Sequence, residues 1–257
     1  MRVQLVTFGG LHALDGATTL EPLLTQRSRA ALLVCLTIER RMPRDALMSM
    51  FWPDSDSQNA RHALRQALYH LSRALGDRDW IDSRAHELLV RDEIQADATT
   101  FSSALECGDV GRAVRLYRGP FLSGVHLADL PSWESWVDAR RASYARAFRK
   151  ACRELLNGKI AERDLAGAVA VAERWMATDP TDDEAQHRLI TTLALAGERA
   201  DAIRQYDVYS RLLAPDGLEP LDETRLLVDQ LRTDRRPATA RRGLPDRVSG
   251  FLLTERW

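Results

Sequence analysis

The sequence predicts a mainly α-helical protein with a small β part: a winged helix-turn-helix unit followed by an all-α, tetratricopeptide-like domain. Three observations predict it. Short strand-like runs, three helical stretches and a second hairpin succeed one another within residues 1–96. From Asp97 onward no strand signal remains. The pairs Ala168-Val169 and Ala202-Ile203 lie 34 residues apart, the spacing of two-helix tetratricopeptide repeats.

The elements follow in order. Val3, Leu5 and Thr7 alternate along a first strand, Gly9-Gly10 interrupts it, and Leu11 to Leu14 resumes before Asp15-Gly16, a hairpin signal. Ala30, Leu33, Val34 and Ile38 keep helical spacing between Gln26 and Ile38. Pro43 opens a second short helix carrying Leu47, Met50 and Phe51, stopped by Trp52-Pro53. Trp52, closing a short helix, reads as core. Asp54-Ser55-Asp56-Ser57 is dense in N-cap residues, and a long helix over Gln58–Leu75 follows, ended by Gly76. Trp80 to Ser83 and Leu88 to Val90 flank Arg84-Ala85-His86 as a hairpin with its tip. Beyond it, GDVGRAV (108–114) and GERADAI (197–203) share Gly, an acid, and Ala before a β-branched residue. A long helix from about Trp133 to Leu156 separates the first copy from the second, and Trp133 and Trp136 at helical spacing fit a core. TDRRPATARRG, past Leu231, loses periodicity. The expected division is 1–96, 97–232, and a basic linker or tail over 233–257.

With 257 residues, 45% hydrophobic and 28% charged, the chain has the balance of a soluble globular protein and the length of one large domain or two of ordinary size. Net charge is −1, from 36 basic and 37 acidic residues, which excludes a uniformly basic nucleic-acid coat and an acidic tail protein. The charge is unevenly spread: residues 1–96 are neutral, 97–232 carry −4, and 233–257 carry +3. Cys35, Cys107 and Cys152 are widely spaced in helical stretches, with no CxxC, and read as reduced, buried thiols. No apolar run reaches bilayer length, and MRVQLVTFGG lacks the layout of a secretory signal. A cytoplasmic protein with no membrane segment is the expectation.

The long helix carries the functional pattern. Ala60, Leu64, Leu68, Leu71 and Leu75 form one stripe. The opposite half holds His62, Gln66, Tyr69 and Arg73, with Arg61, Arg65 and Ser72 on one flank, and no acid occurs between Gln58 and Leu75. Such a face suits a major groove: Arg forks onto guanine, Gln onto adenine, and the remaining groups hold phosphate oxygens. The hairpin tip adds Arg84 and His86 where a wing would meet a minor groove or phosphate. The alternatives are a solvated, Arg-rich helix face and an exposed turn.

Enzymatic patterns are poor. His86-Glu87-Leu88-Leu89-Val90 begins like a zinc-protease helix but lacks the second His and sits in a strand-like run. GxxxxGK[ST], GxGxxG and GxSxG are missing, and the six His are scattered. The acids Asp182-Asp183-Glu184 sit at a helix start, where the helix dipole accounts for them. Neither an enzyme nor a metal or cofactor is expected.

FWPDSDSQNARHALRQALYHLSRALG (51–76) resembles the DNA-binding half of the Streptomyces antibiotic regulatory protein family, matching at Trp52-Pro53-Asp54, Ala60-Arg61, Leu64, Leu68, Leu71, Arg73 and Leu75. LYRGPFLSGV (116–125), WVDAR (136–140), DPTDDEA (179–185), AGERADAIRQY (196–206) and GLEP (217–220) resemble that family's bacterial transcriptional activator domain. The likeness spans about residues 3–232. Two departures stand out: Leu71-Ser72-Arg73 replaces a frequent Leu-Arg-Arg, and Arg84-Ala85-His86 replaces a Gly-Gly-Tyr-like wing. The resemblance implies a winged helix of the response-regulator output type before the helical domain. It also implies a transcriptional regulator, usually an activator, that binds direct repeats in double-stranded DNA, contacts RNA polymerase and self-associates on DNA. Larger relatives carry an ATPase or sensor module after these domains, and none is expected here. The rival reading is a protein-interaction or ligand-sensing scaffold whose winged helix does not bind DNA.

Overall fold

Strand β1 (Val3–Val6) organises the N-terminal part of the computed structural model, which describes residues 2–76 and 78–233. The chain divides after Ala151 into two compact units, Met1–Ala151 and Cys152–Trp257. Position 96/97 lies inside the first. The expected tail lies outside the described residues except for Thr233.

In the first unit β1 pairs antiparallel with β2 (His12–Asp15), which turns through Gly16 (φ +62) into β3 (Thr18–Thr19). Glycine at the first turn position is what a type II′ hairpin requires. A short α1 (Glu21–Leu24) precedes α2 (Arg27–Glu39). The expected helix there is an amphipathic one, but Ala30 to Thr37 are all buried, so α2 is a central helix enclosed on every side. Its one fully buried hydroxyl, on Thr37, donates to the Leu33 carbonyl at 2.8 Å.

The chain continues through β4 (Arg41–Pro43), α3 (Arg44–Phe51), α4 (Ser57–Ala74), β5 (Ile81–Ser83) and β6 (Glu87–Val90). These strands form a three-stranded sheet ordered β4-β6-β5, with the proline-bearing strand at its edge. Strand β7 (Ile94–Ala96) then returns to pair parallel with β1, completing a sheet ordered β3-β2-β1-β7. This is the expected winged-helix order. Trp52 is half-buried beside Phe51 rather than fully enclosed as expected, and of the two methionines Met48 is buried instead of Met50.

Helices α5 (Asp97–Glu106) and α6 (Val110–Leu116) follow, then α7 (Pro131–Ala161), longer at both ends than expected. The Asp97 carboxylate accepts hydrogen bonds from Thr7 N at 2.8 Å, Thr7 Oγ1 at 2.5 Å and Phe8 N at 3.2 Å. Phe8 pairs with Phe121 in an isolated bridge and lies among Phe101, Tyr117 and Tyr144, all within 5.4 Å between ring centroids. At this junction Gly119 (φ +153) approaches Gly9 so closely that an added Cβ would lie 3.3 Å from the Gly9 Cα. The 116–125 motif is therefore structural: it clasps the end of β1. Trp133 is buried, and Trp136 donates Nε1–H to Glu39 at 2.7 Å.

The second unit contains α8 (Leu165–Thr178), α9 (Asp183–Ala196), α10 (Arg199–Leu213), a 3₁₀ turn (Ala214–Asp216) and α11 (Asp222–Thr233). Asp164 and Asp182 cap α8 and α9, and Gly197 (φ +84) ends α9. The alanines of the repeated pairs, Ala168 and Ala202, are fully buried near the starts of α8 and α10, as Ala113 is in α6. A small residue at each equivalent position lets neighbouring helices approach closely. Cys35 and Cys152 are buried, and burial pushes both thiols up to about 12. Cys107 departs from the expectation: it is exposed, because α5 ends there at Gly108 (φ +74) and the side chain falls outside the core.

His187 is half-buried on α9, its Nδ1 2.8 Å from the Thr224 hydroxyl. Burial is the main cause holding its pKa below the ordinary imidazole range. Folding thus favours neutral His187, so its contribution is present above the unfolded-state pKa and is lost as pH falls below it. Moving from pH 7.5 to 5.5 should lower the melting temperature more in the wild type than in His187→Gln. Parallel melting curves in the two proteins would contradict this.

Candidate nucleic-acid interface

The site begins with a cap. Asp56 accepts from Gln58 N at 2.9 Å and Asn59 N at 2.8 Å, which starts α4 where the acid- and serine-rich run predicts. Ala60, Leu64, Ala67 and Leu71 are buried, so the apolar stripe is the expected one shifted slightly: Ala67 lies inside and Leu68 is half-buried. This orientation exposes Arg61, His62, Arg65, Gln66, Tyr69 and Arg73 together. Tyr69 is 61% exposed, and its ring meets His70 edge-on at 5.6 Å. Arg73 occupies the last turn, where a cation also suits the helix dipole. Ser72 does not belong to this face. It is half-buried and accepts the Trp80 Nε1–H at 2.9 Å, fixing α4 against the start of the hairpin.

A groove of about 690 Å³ runs between α3, the first half of α4 and the β5–β6 turn. Met48 and Leu64 contribute apolar surface, while Arg44, Arg61, Arg65, Arg84 and His86 bring positive or protonatable groups against a single acid, Asp45. The charge pattern of α4 and the hairpin tip does not include Arg44. Its backbone N–H donates to the His86 carbonyl at 3.0 Å, its Nε to the Arg84 carbonyl at 2.9 Å, and its guanidinium also reaches Ser83 Oγ. It latches the wing to the helix-turn-helix without a carboxylate partner among the described residues. One local signal could have found it: a cation at the first position of a helix opposes the dipole, so it needs another reason to be there.

Arg84 sits at the hairpin tip as expected, 57% exposed, but it is ion-paired. Its Nε lies 3.1 Å from Asp82 and its Nη1 3.5 Å from Glu87, and Glu87 also holds Arg41 Nε at 2.7 Å. Arg61 and Arg65, by contrast, have no ion-pair partner among the described residues. The residues expected to bind DNA thus fall on two connected surfaces: the exposed face of α4, and the basic groove that Arg61 and Arg65 share with Arg84. Among the described residues no group of His, Cys, Asp and Glu is placed to hold a metal ion, and no helix is long and apolar enough to cross a membrane.

A family model described as the bacterial transcriptional activator domain matches residues 81–232, more than half of the chain. The solved structure of Mycobacterium tuberculosis EmbR in complex with a low-affinity phosphopeptide is similar, with a TM-score of 0.56 and 20% sequence identity. That match covers 98% of this chain and 69% of EmbR. At that identity the likeness is one of fold. No curated protein matches the sequence.

Proposed function

Because the chain belongs to the bacterial transcriptional activator domain family, we propose that it is a sequence-specific DNA-binding regulator of transcription, working in the cytoplasm as an activator. The observation that carries this reading is the exposed, acid-free face of α4, continuous with a groove flanked by Arg44, Arg61 and Arg65. Helix α4 enters the major groove. His62, Gln66 and Tyr69, at the centre of its face, read base edges, while Arg61, Arg65 and Arg73 hold phosphates or guanine. The helical residues 97–232, with their excess of acids, face protein rather than DNA: a neighbouring copy or RNA polymerase. Two copies on direct repeats one helical turn apart (roughly 34 Å) would touch head to tail, without two-fold symmetry. No cofactor is called for.

Selection of preferred sites from a random duplex library tests the reading. The wild type should enrich a repeated motif, and Gln66→Ala should enrich a different or degenerate one at the position it reads. An identical motif from both proteins would remove Gln66 from base reading. No enrichment by the wild type would favour the interaction-scaffold alternative.

A further inference from the structure

The three-stranded sheet β4-β6-β5 that flanks the basic groove sets two acids, Asp82 and Glu87, against two arginines, Arg41 and Arg84. Glu87, at the start of β6, is 21% exposed and bridges two arginines, Arg41 at 2.7 Å and Arg84 at 3.5 Å. Asp82 on β5 takes the Nε of Arg84 at 3.1 Å. The antiparallel register fixes these partners, because Pro43 lies opposite Glu87 and Ser83 opposite Leu88. Arg84 and Arg41 are 57% and 69% exposed but neutralised in advance, and Arg84 lines the groove itself. Arg44, Arg61 and Arg65 have no such carboxylate among the described residues.

Resting on the DNA-binding reading above, we propose that Asp82 and Glu87 are affinity-limiting residues of this interface. They hold Arg84 and Arg41 away from phosphate, so that phosphate contact within the groove rests on Arg44, Arg61 and Arg65. Ion pairs this exposed contribute little to stability, so they serve to set charge rather than to hold the hairpin together. The functional gain lies in discrimination. Phosphate contacts strengthen binding to every sequence alike, so a wing of low net charge lowers non-specific affinity while leaving base reading by α4 intact.

The test is fluorescence anisotropy of a short, labelled, random-sequence duplex titrated with the full chain over a range of salt. Glu87→Gln and Asp82→Asn each keep the shape of the side chain while removing its charge. Each should bind about threefold more tightly or better at low salt, with a dependence of log K on log salt steeper by up to about one. Measured against Arg84→Ala alone, adding Asp82→Asn should bring no gain and adding Glu87→Gln a reduced one. A purely structural role for the acids gives the reverse, weaker binding by both neutralised variants. Unchanged or weaker binding by both, with wild-type melting curves and measurable wild-type binding, overturns the proposal. A gain that survives Arg84→Ala undiminished in the Asp82→Asn protein overturns the sequestration of Arg84. Absence of duplex binding by the wild type and every variant would instead overturn the DNA-binding reading, and this inference with it.

Discussion

Replacing Arg61 and Arg65 together with alanine is expected to weaken specific duplex binding by roughly two orders of magnitude, at about 1–3 kcal/mol for each arginine that forks onto a base. If the two side chains hold phosphate, the slope of log K against log salt falls by about two instead. Both side chains are exposed and have no ion-pair partner among the described residues. Melting temperature should therefore hold near wild type, since surface changes of this kind stay within about 0.5 kcal/mol. Anisotropy titrations at several salt concentrations separate the two outcomes. A folded double variant with wild-type curves throughout would remove α4 from the interface.

The second large effect concerns what completes the winged helix. A chain ending at Ala96 should fail to fold, although it contains every strand of both sheets. It lacks the Asp97 carboxylate that accepts three bonds from Thr7 and Phe8, the Phe101, Tyr117 and Tyr144 rings that surround Phe8, and the Phe121 backbone that bridges to it. In the full chain, Asp97→Ala alone should cost about 2–4 kcal/mol, because it removes charge-assisted bonds and leaves two backbone donors short of acceptors. Urea denaturation followed by circular dichroism measures the second effect, and dispersion of amide proton resonances reports the first. A well-dispersed 1–96 fragment that binds DNA would show that the clasp is dispensable.

Local chemistry made much of this fold legible. Asp56 as a cap, the Asp15-Gly16 turn, Gly76 as a helix stop and the hairpin around Arg84 each depend on residues a few positions apart. The tetratricopeptide spacing and the family resemblance were legible for the same reason, being carried by short motifs in a fixed order, and the family match bears that resemblance out. What could not be read depends on distant partners. Ile94-Gln95-Ala96 is three residues long, too short for its alternation to signal a strand, and becomes one only because β1 offers it an edge. Ser72 looks like part of the polar face until Trp80 folds over to claim its hydroxyl. Arg44 is one arginine among many in the sequence, and its latch to Ser83 and Arg84 exists only once the hairpin returns. The pairing of Arg84 with Asp82 and Glu87 was within local reach, yet a count of cations at the tip passes over it.

The clasp on β1 also sets a timetable for synthesis. Val3 to Gly9 are made first, but their partners at Glu93 to Asp97 and at Pro120 to Leu122 arrive some ninety or more residues later. Parallel pairing across such a separation is slow to close, because chain entropy must be surrendered before any favourable pairing rewards it. Until about residue 97 has left the ribosome β1 has one free edge, and Phe8 is enclosed only once Phe101, Tyr117 and Tyr144 have followed. A nascent chain therefore carries α4 fully translated but unsupported, and its exposed, acid-free face matures together with α5 and α6 rather than ahead of them.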